Sequence, residues 1–360
     1  MTEDRRWLHN EVNGGPAPRA RRPPRGAQVT AAPDAMHITA VRDRVRERLV
    51  GRERELDLVL AAVAAGRDIV LEGPPGTSKS TLLRGITAEW GIPLVFVEGN
   101  ADLTPAKLVG HHNPARVLRE DYSAENVVDG PLLEAMRSGG FLYIEEFNRA
   151  PEDTLNTLLT AMAERQIAVP RADTVLAKPT FRVIASMNPY DNVGTTRLST
   201  SVHDRMCRLA ISYQDAAAER GIVVLRAPLP ELPGALGDRL IGDAVALTRA
   251  TREHEDIRQG SSVRGAIDLT LVAGQLLELA GLTRGTPGRN AGKYAGKYAG
   301  KYAGSPEPGE RYADVVFDAM VVALSGRIFL DETVDTTPEA VLRQIWEDHF
   351  ILAPAAAEPG

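Results

Sequence analysis

The segment GPPGTSKS, residues 73–80, has the residue types and spacing that point most directly to chemistry. It follows a short apolar run and precedes a helical pattern. Its backbone N–H groups therefore converge at a helix start, where the helix dipole favours an anion. Gly73 and Gly76 have no Cβ to hold phosphate oxygens away. Together with Lys79 and Ser80, the pattern predicts a loop that binds nucleotide phosphates.

The expected roles follow from phosphoryl-transfer chemistry. Lys79 is expected to reach the β- and γ-phosphates, and the Ser80 hydroxyl to complete the Mg²⁺ shell. The usual pattern is G-x-x-x-x-G-K-[ST], and Ser78 stands where it has its second glycine. A glycine-rich loop without a ligand is the alternative interpretation. The predicted nucleotide contacts in this loop are Gly73, Pro74, Pro75, Gly76, Thr77, Ser78, Lys79, Ser80 and Thr81.

A second segment, FLYIEEFNRA at 141–150, supplies carboxylates. Its four leading apolar residues predict a buried strand, and Glu145 and Glu146 emerge at the carboxyl end, where open α/β sheets bind ligands. We predict that Glu145 holds Mg²⁺, directly or through water. Glu146 is then the general base that polarises the attacking water. The alternative is that both are ordinary exposed acids at a strand end.

The surrounding pattern predicts how these segments are positioned. Residues 38–66 are typical of two helices with a break at 50–52, and PEDTLNTLLTAMAER is typical of an amphipathic helix. A hairpin is predicted at 166–180. Apolar strands alternating with helices indicate an α/β fold with a parallel sheet covered on both faces. The predicted strands are 68–73, 93–99, 141–146 and 181–189.

The composition changes after about residue 225, where helical patterns dominate and strand signals are few. We expect a P-loop core followed by a small all-α lid domain. Ala-Gly-Lys-Tyr occurs three times in succession within a stretch that cannot bury a core. The predicted division is a disordered basic leader at 1–36, an α/β core at 37–220, a helical lid at 221–350 with a flexible loop at 283–310, and a disordered tail at 351–360.

Composition excludes several classes of protein. The 360 residues are 43% hydrophobic and 25% charged, which is ordinary for a globular chain. A net charge of −6 argues against a protein that mainly wraps nucleic acid. Cys207 is the single cysteine, so no internal disulfide can form, and we expect it to be a small core residue. No apolar run is long enough to span a membrane, and no export signal is found, so we expect a cytoplasmic protein.

These motifs in this order resemble the MoxR family of AAA+ ATPases over about residues 42–350. Walker A loops of that branch often read GxPGxxK, which accommodates Ser78. IEEFNRAPEDTLNTLLTAMAERQIAVP resembles the acidic Walker B motif and the helix after it. ASMNPYDNVGTTRLSTSVHDRM resembles the sensor-1 region leading into an Asp-Arg box. The resemblance implies ATP as the nucleotide.

The resemblance also implies roles for single residues. Asn188 matches sensor 1, which positions the hydrolytic water, although an Asn before a proline could merely start a turn. Arg205 matches the arginine finger that acts on a neighbouring subunit's γ-phosphate, and Arg264 matches sensor 2. Either arginine could instead be a solvated surface residue. Gly51 lies in the stretch that borders the adenine. Glu145 departs from the family, which most often has Asp there.

The implied function is ATP hydrolysis in a ring, expected to be a hexamer because a trans arginine requires a head-to-tail interface. The ring would act like a chaperone on a client protein, with a von Willebrand factor A-domain partner. One alternative is a switch that binds ATP to assemble and hydrolyses it slowly or not at all. The third alternative is a DNA motor. It ranks last because DNA binding requires basic residues, and the hairpin offers only Arg165, Arg171 and Lys178 in a chain that is acidic overall.

Overall fold

The structure, a computed structural model, describes residues 35–112, 126–169, 173–189, 199–229, 232–282 and 308–352, with side chains from residue 38 and, in the last range, from residue 311. Residues 32–360 form one compact unit.

The helices are α1 Ala35–Arg46, α2 Glu53–Ala64, α3 Lys79–Trp90, α4 Pro105–Val109, α5 Pro131–Ser138, α6 Glu152–Glu164, α7 Thr200–Arg205, α8 Ala216–Arg226, α9 Gly234–Ala250, α10 Val263–Leu279, α11 Pro308–Leu324 and α12 Pro338–Glu347. The strands are β1 Ile69–Glu72, β2 Leu94–Glu98, β3 Gly110–His112, β4 Val127–Asp129, β5 Phe141–Glu145, β6 Gln166–Ala168, β7 Thr174–Leu176, β8 Arg182–Met187, β9 Cys207–Ala210, β10 Ile257–Gln259 and β11 Phe329–Leu330.

Five parallel strands form the central sheet in the spatial order β2–β5–β8–β1–β9. Every residue of β1 and β8 is buried, which explains why these central strands are apolar runs rather than alternating patterns. The edge strands β2 and β9 are partly exposed. The prediction of a P-loop α/β fold with a parallel sheet and a helical part after it is confirmed.

Hydrophobic residues cover both faces of this sheet. Ile69 and Leu71 of β1 face one layer, where they pack with buried residues of α1, α2 and α3. Val70 faces the other layer, with α5, α6 and the β6–β7 hairpin. Leu82 and Leu83 of α3 are fully buried, and each such side chain contributes about 1.5–3 kcal/mol. This packing fixes α3, and with it the loop that precedes it.

The helical part has its own core, formed by buried residues of α9, α10, α11 and α12. Leu240, Leu269 and Met320 are fully buried there. Strands β10 and β11 add a short antiparallel pair that the sequence did not indicate. None of the helices that the structure describes is long and apolar enough to cross a membrane.

The structure differs from several sequence expectations. Strand β9 was not predicted, and Cys207 on it is exposed rather than a core residue, because β9 lies at the sheet edge. Helix α1 begins at Ala35, inside the predicted leader, and α11 begins at Pro308, inside the predicted loop. A π-helical turn occupies Asp348–Leu352, at the start of the predicted tail. The rest of the leader, the Ala-Gly-Lys-Tyr repeat and residues 353–360 lie outside the described residues.

Candidate functional site

The loop between β1 and α3 is tied to the sheet and to the helical part. The N–H of Gly73 donates to the Met187 carbonyl at 3.1 Å, which joins the loop to the end of β8. A Cβ on Gly73 would overlap the Ile211 carbonyl, and a Cβ on Gly76 would overlap the Ser262 side chain. Close approach of neighbouring protein groups therefore favours glycine at both positions, which is a separate reason from the phosphate contact that the sequence predicts.

Ser78 adopts a left-handed backbone conformation, with φ at +65°, immediately before α3 begins. This is the conformation that the second glycine of the usual pattern adopts without strain. The serine therefore keeps the loop shape of the pattern at a local conformational cost.

Lys79 lies inside the loop. Its Nζ donates to the carbonyls of Gly73 at 2.8 Å and Pro74 at 2.9 Å. Burial lowers the pKa of Lys79 from 10.5 to about 8, and the nearby carboxylates of Glu145 and Glu146 oppose that shift. The lysine predicted to bind phosphate is thus a partly desolvated ammonium close to both predicted carboxylates.

A chain of hydroxyls connects the start of α3 to the end of β5. The Ser80 hydroxyl donates to Glu145 Oε1 at 2.8 Å. The Tyr143 hydroxyl is 3.1 Å from Ser80 Oγ and 2.9 Å from Ser186 Oγ, and burial raises the pKa of Tyr143. The hydroxyl and carboxylate predicted to hold Mg²⁺ are therefore in direct contact, with Tyr143 and Ser186 behind them.

These residues fit a magnesium ion. Mg²⁺ prefers hard oxygen ligands, and it is commonly held by one or two protein groups together with water and substrate phosphates. Ser80 and Glu145 offer such oxygens beside the phosphate loop. Within the described ranges, no group of three or more His, Cys, Asp or Glu side chains could hold a metal ion. Ser80 and Glu145 would thus supply two of the oxygens around a metal that is shared with a bound nucleotide.

Glu146 follows β5 in a left-handed turn, with φ at +54°. Its Oε2 is 3.1 Å from Arg149 Nε, an ion pair across one turn. Gly99 packs behind this turn: its N–H donates to the Glu145 carbonyl at 2.7 Å, and a Cβ there would overlap the Glu146 carbonyl. The position of the predicted general base is thus set by the turn and by the end of β2.

Asn188 follows β8 directly, on the sheet edge that carries the loop and the carboxylates. The Asn148 side-chain amide donates to the Asn188 carbonyl at 3.3 Å, which links it to the turn after β5. Residues 190–198, between Asn188 and α7, lie outside the described residues.

Arg264 lies in the first turn of α10, whose N-cap is Ser262. Its Cδ is 3.8 Å from the point where a Cβ on Gly76 would lie, and its charge contributes to lowering the pKa of Lys79. Arg264 is thus brought to the loop from the helical part.

Gly51, with φ at +65°, packs against the first turn of α8, where a Cβ would overlap Ala218.

Arg205 is exposed at the end of α7, where its NH1 donates to the Ser201 carbonyl at 3.2 Å. Among the described residues, it is not one of the charges that shift the pKa of Lys79. The hydrogen bond that the structure gives Arg205 thus lies within its own helix.

The predicted hairpin forms from β6 and β7. Arg165 at its base is directed to the sheet, where it pairs with the buried Asp68 at 3.1 Å and donates to the Phe181 carbonyl. One of the three basic residues of the hairpin is thus paired with a buried carboxylate. Arg171 lies outside the described residues.

Tyr143 was missed by sequence reasoning, and Arg52 and Arg149 were included in matched motifs without a role of their own. Tyr143 precedes Glu145 by two residues, and the two-residue period of a strand puts both on one face, a signal that could have been used. Arg52 is buried: its guanidinium donates to the Ser212 carbonyl at 2.6 Å and helps to lower the pKa of Lys79. The sequence patterns placed Arg52 in the stretch said to border the adenine and Arg149 after the Walker B motif, but gave neither residue a contact at the site.

The sheet order, the phosphate loop after β1 and the carboxylates after β5 define an AAA+ P-loop fold. Residues 68–206 match the family model described as AAA domain (dynein-related subfamily).

Relatives carry a more specific name. The chain is 28% identical over 256 residues to a protein of Ancylobacter aquaticus named gas vesicle ATPase GvpN, a match covering 65% of this chain and 69% of that one. It is 28% identical over 225 residues to a protein of the same name from Haloferax mediterranei, covering 58% and 63%. A solved RuvB mutant from Thermotoga maritima is similar at 18% identity, with a TM-score of 0.46 and coverage of 83% and 89%.

Proposed function

We propose that this chain is a MoxR-like ATPase that hydrolyses ATP with Mg²⁺ in a ring and uses the energy to remodel a client protein. The observation that carries the proposal is the 2.8 Å contact between Ser80 and Glu145, with Lys79 and Glu146 beside it. A hydroxyl, two carboxylates and a desolvated ammonium at one helix start suit a nucleoside triphosphate and its metal.

The residues have separate tasks in this mechanism. The loop's backbone N–H groups and Lys79 bind the phosphates. Glu146 accepts the proton of the attacking water, and Asn188 orients that water. Arg264 stabilises the charge that develops on the γ-phosphate. Mg²⁺, when bound at Ser80 and Glu145, would neutralise charge on the phosphate oxygens.

The proposed ring rests on Arg205, which is exposed at the end of α7. If it acts on the next subunit, the interface is head-to-tail and closes into a ring, which we propose is a cytoplasmic hexamer. Residues 37–220 would form the ATPase core and residues 221–350 the lid, whose movement transmits hydrolysis to the client. We include a von Willebrand factor A-domain protein among the candidate partners.

The relatives' name suggests the first client to test. Both relatives are named gas vesicle ATPases, but the matches span 69% and 63% of their lengths at 28% identity. We therefore propose a remodelling role in general, with gas-vesicle proteins as the first clients to examine.

The test is Glu146→Gln. The variant should retain ATP binding and lose at least about 100-fold in turnover, because an amide cannot accept the proton. Binding of a fluorescent ATP analogue and phosphate release would be measured separately. Glu98→Gln is the matched control, since Glu98 lies opposite Glu145 in the register but is exposed at the end of β2. Undiminished hydrolysis in Glu146→Gln would overturn the proposal.

A slow or non-hydrolysing assembly switch is the second candidate. The observation that favours it is the Glu146–Arg149 ion pair, in which one of the two carboxylate oxygens of the proposed general base already contacts a guanidinium. Single-turnover kinetics separates the two candidates. A hydrolysis step much slower than nucleotide release and ring assembly would support the switch.

A further inference from the structure

A buried carboxylate that the proposed mechanism does not use lies where α8 meets the helical part. Glu219 of α8 is 2% exposed. Its Oε2 is 3.1 Å from Arg249 NH1, and its Oε1 is 2.8 Å from Arg252 NH1. One anion is thus shared by two arginines from the end of α9 and the turn that follows it.

Arg249 extends this cluster toward the break between α1 and α2. Its NH1 also donates to the Gln214 carbonyl at 3.0 Å. The buried Gln214 side chain in turn donates to the Val50 carbonyl at 2.8 Å, next to Gly51. On this side, Glu219 is connected to the stretch proposed to border the adenine.

Arg252 extends the cluster toward the phosphate loop. Its Nε donates to the Ser261 carbonyl at 2.6 Å, and its guanidinium lies 3.9 Å from the centre of the Tyr213 ring. The N–H of Ser261 also forms a hydrogen bond, which it donates to Thr251 Oγ1 at 2.9 Å. The next residue, Ser262, caps α10 and packs against Gly76.

Such a cluster is a poor means of adding stability, because desolvating buried charges offsets much of their attraction. It does restrict geometry, since Arg249 donates to both Gln214 and Glu219, while Arg252 donates to Ser261 and forms an ion pair with Glu219. Here the restricted segment is Ser261–Ser262, which determines where α10 begins and therefore where Arg264 lies.

We propose that Glu219 is a positioning residue that holds Arg252, and through it the start of α10, so that Arg264 lies against the phosphate loop. The inference rests on the proposed function, in which Arg264 acts on the γ-phosphate. It predicts that Glu219 acts on hydrolysis only through Arg264.

The experiment is a double-mutant cycle in the full chain. Glu219→Gln keeps the shape of the side chain and removes its charge. We expect both kcat and the ratio of ATP affinity to ADP affinity to fall about tenfold. In an Arg264→Ala background, Glu219→Gln should change kcat by less than about twofold. A merely structural role would give losses that multiply in the double variant, and that result would overturn the proposal.

Two further measurements keep the outcome unambiguous. Asp243→Asn is the matched control, because Asp243 is a half-buried carboxylate that contacts Tyr312 and His349 instead. It should alter thermal stability and leave kcat unchanged. If Glu219→Gln does not fold, Arg252→Lys replaces it in the same cycle with the same expectation. No effect of Arg264→Ala on hydrolysis would overturn the role of Arg264 in the proposed function, separately from the role of Glu219.

Discussion

Ser78 occupies a backbone conformation that costs an L-residue about 1–2 kcal/mol relative to the right-handed one. Glycine avoids that cost but loses about 0.5–1 kcal/mol through its freer unfolded chain. Ser78→Gly should therefore raise the free energy of unfolding by up to about 1 kcal/mol, measured by urea denaturation.

Ser199→Gly is the matched control. Ser199 precedes α7 with φ at −66° and makes no side-chain cap hydrogen bond. Glycine there relieves no strain and should be neutral or slightly destabilising. Equal effects of the two substitutions would contradict the strain argument.

The lowered pKa of Lys79 leads us to expect that the stability of the fold depends on pH. Its pKa is about 8 in the folded chain against 10.5 in the unfolded chain. Below pH 8 both states are protonated, and the cost of burying the charge is fully present. Between pH 8 and 10.5 the unfolded state binds more protons, so stability rises with pH, by at most about 1.4 kcal/mol per unit.

The measurement is urea denaturation of the nucleotide-free protein at pH 7.5, 8.5 and 9.5. Lys79→Met serves as the reference, because it lacks this titration but keeps the other groups. The difference between the two proteins should grow in favour of the wild type above pH 8. Parallel curves would show that the pKa of Lys79 is not lowered by folding.

At this scale, sequence pattern assigned Ser80 and Glu145 to the same metal ion, because residue type and order imply their chemistry, and the structure brings the two side chains together. It missed Tyr143, because the apolar run hid a hydroxyl on the same face as Glu145. It placed Arg52 in the stretch said to border the adenine but missed its effect on Lys79, because that effect depends on folding that brings residue 52 to residue 79, which no local pattern encodes.

At the scale of elements, the end of β2 supports the turn that carries Glu146. A Cβ on Gly99 would overlap the backbone of that turn, which cannot move as freely as a side chain. Gly99→Ala should therefore destabilise the fold by about 1–3 kcal/mol and displace Glu146. We expect hydrolysis to fall much more than ATP binding does.

Gly234→Ala is the control for this prediction. Gly234 begins α9, and nothing lies within 4 Å of the position its Cβ would take. The expected result is unchanged hydrolysis and equal or greater stability. Normal turnover in Gly99→Ala would show that the turn does not depend on β2.

The central strands were predictable as elements because both of their faces are covered, which makes them apolar runs. Strand β9 was not, since Cys-Arg-Leu-Ala at a sheet edge has neither an apolar run nor clear alternation. Its pairing with β1 depends on α7 delivering the chain to that edge, a tertiary effect.

At the scale of the whole molecule, Arg205 makes a prediction about subunits. Arg205→Ala and Glu146→Gln should each be inactive alone. In an equal mixture, about a quarter of the pockets would combine an intact Glu146 with a neighbour's intact Arg205, restoring about that share of turnover. Phosphate release from mixed, reassembled protein is the measurement.

The double variant Arg205→Ala/Glu146→Gln, mixed with Arg205→Ala, is the control and should give no rescue. Mixtures that form rings yet stay inactive would count against an arginine finger that acts between subunits.

The identity of the client cannot be predicted from the sequence, because a client is recognised by surfaces that follow no motif.

The exposed edge position of Cys207 has a practical consequence. It is the single thiol among the 360 residues and follows Arg205 by two positions. A maleimide dye would therefore label the wild-type chain at one defined point beside the proposed contact with the next subunit. Ring closure could then be followed as a change in emission, without introducing or removing any cysteine.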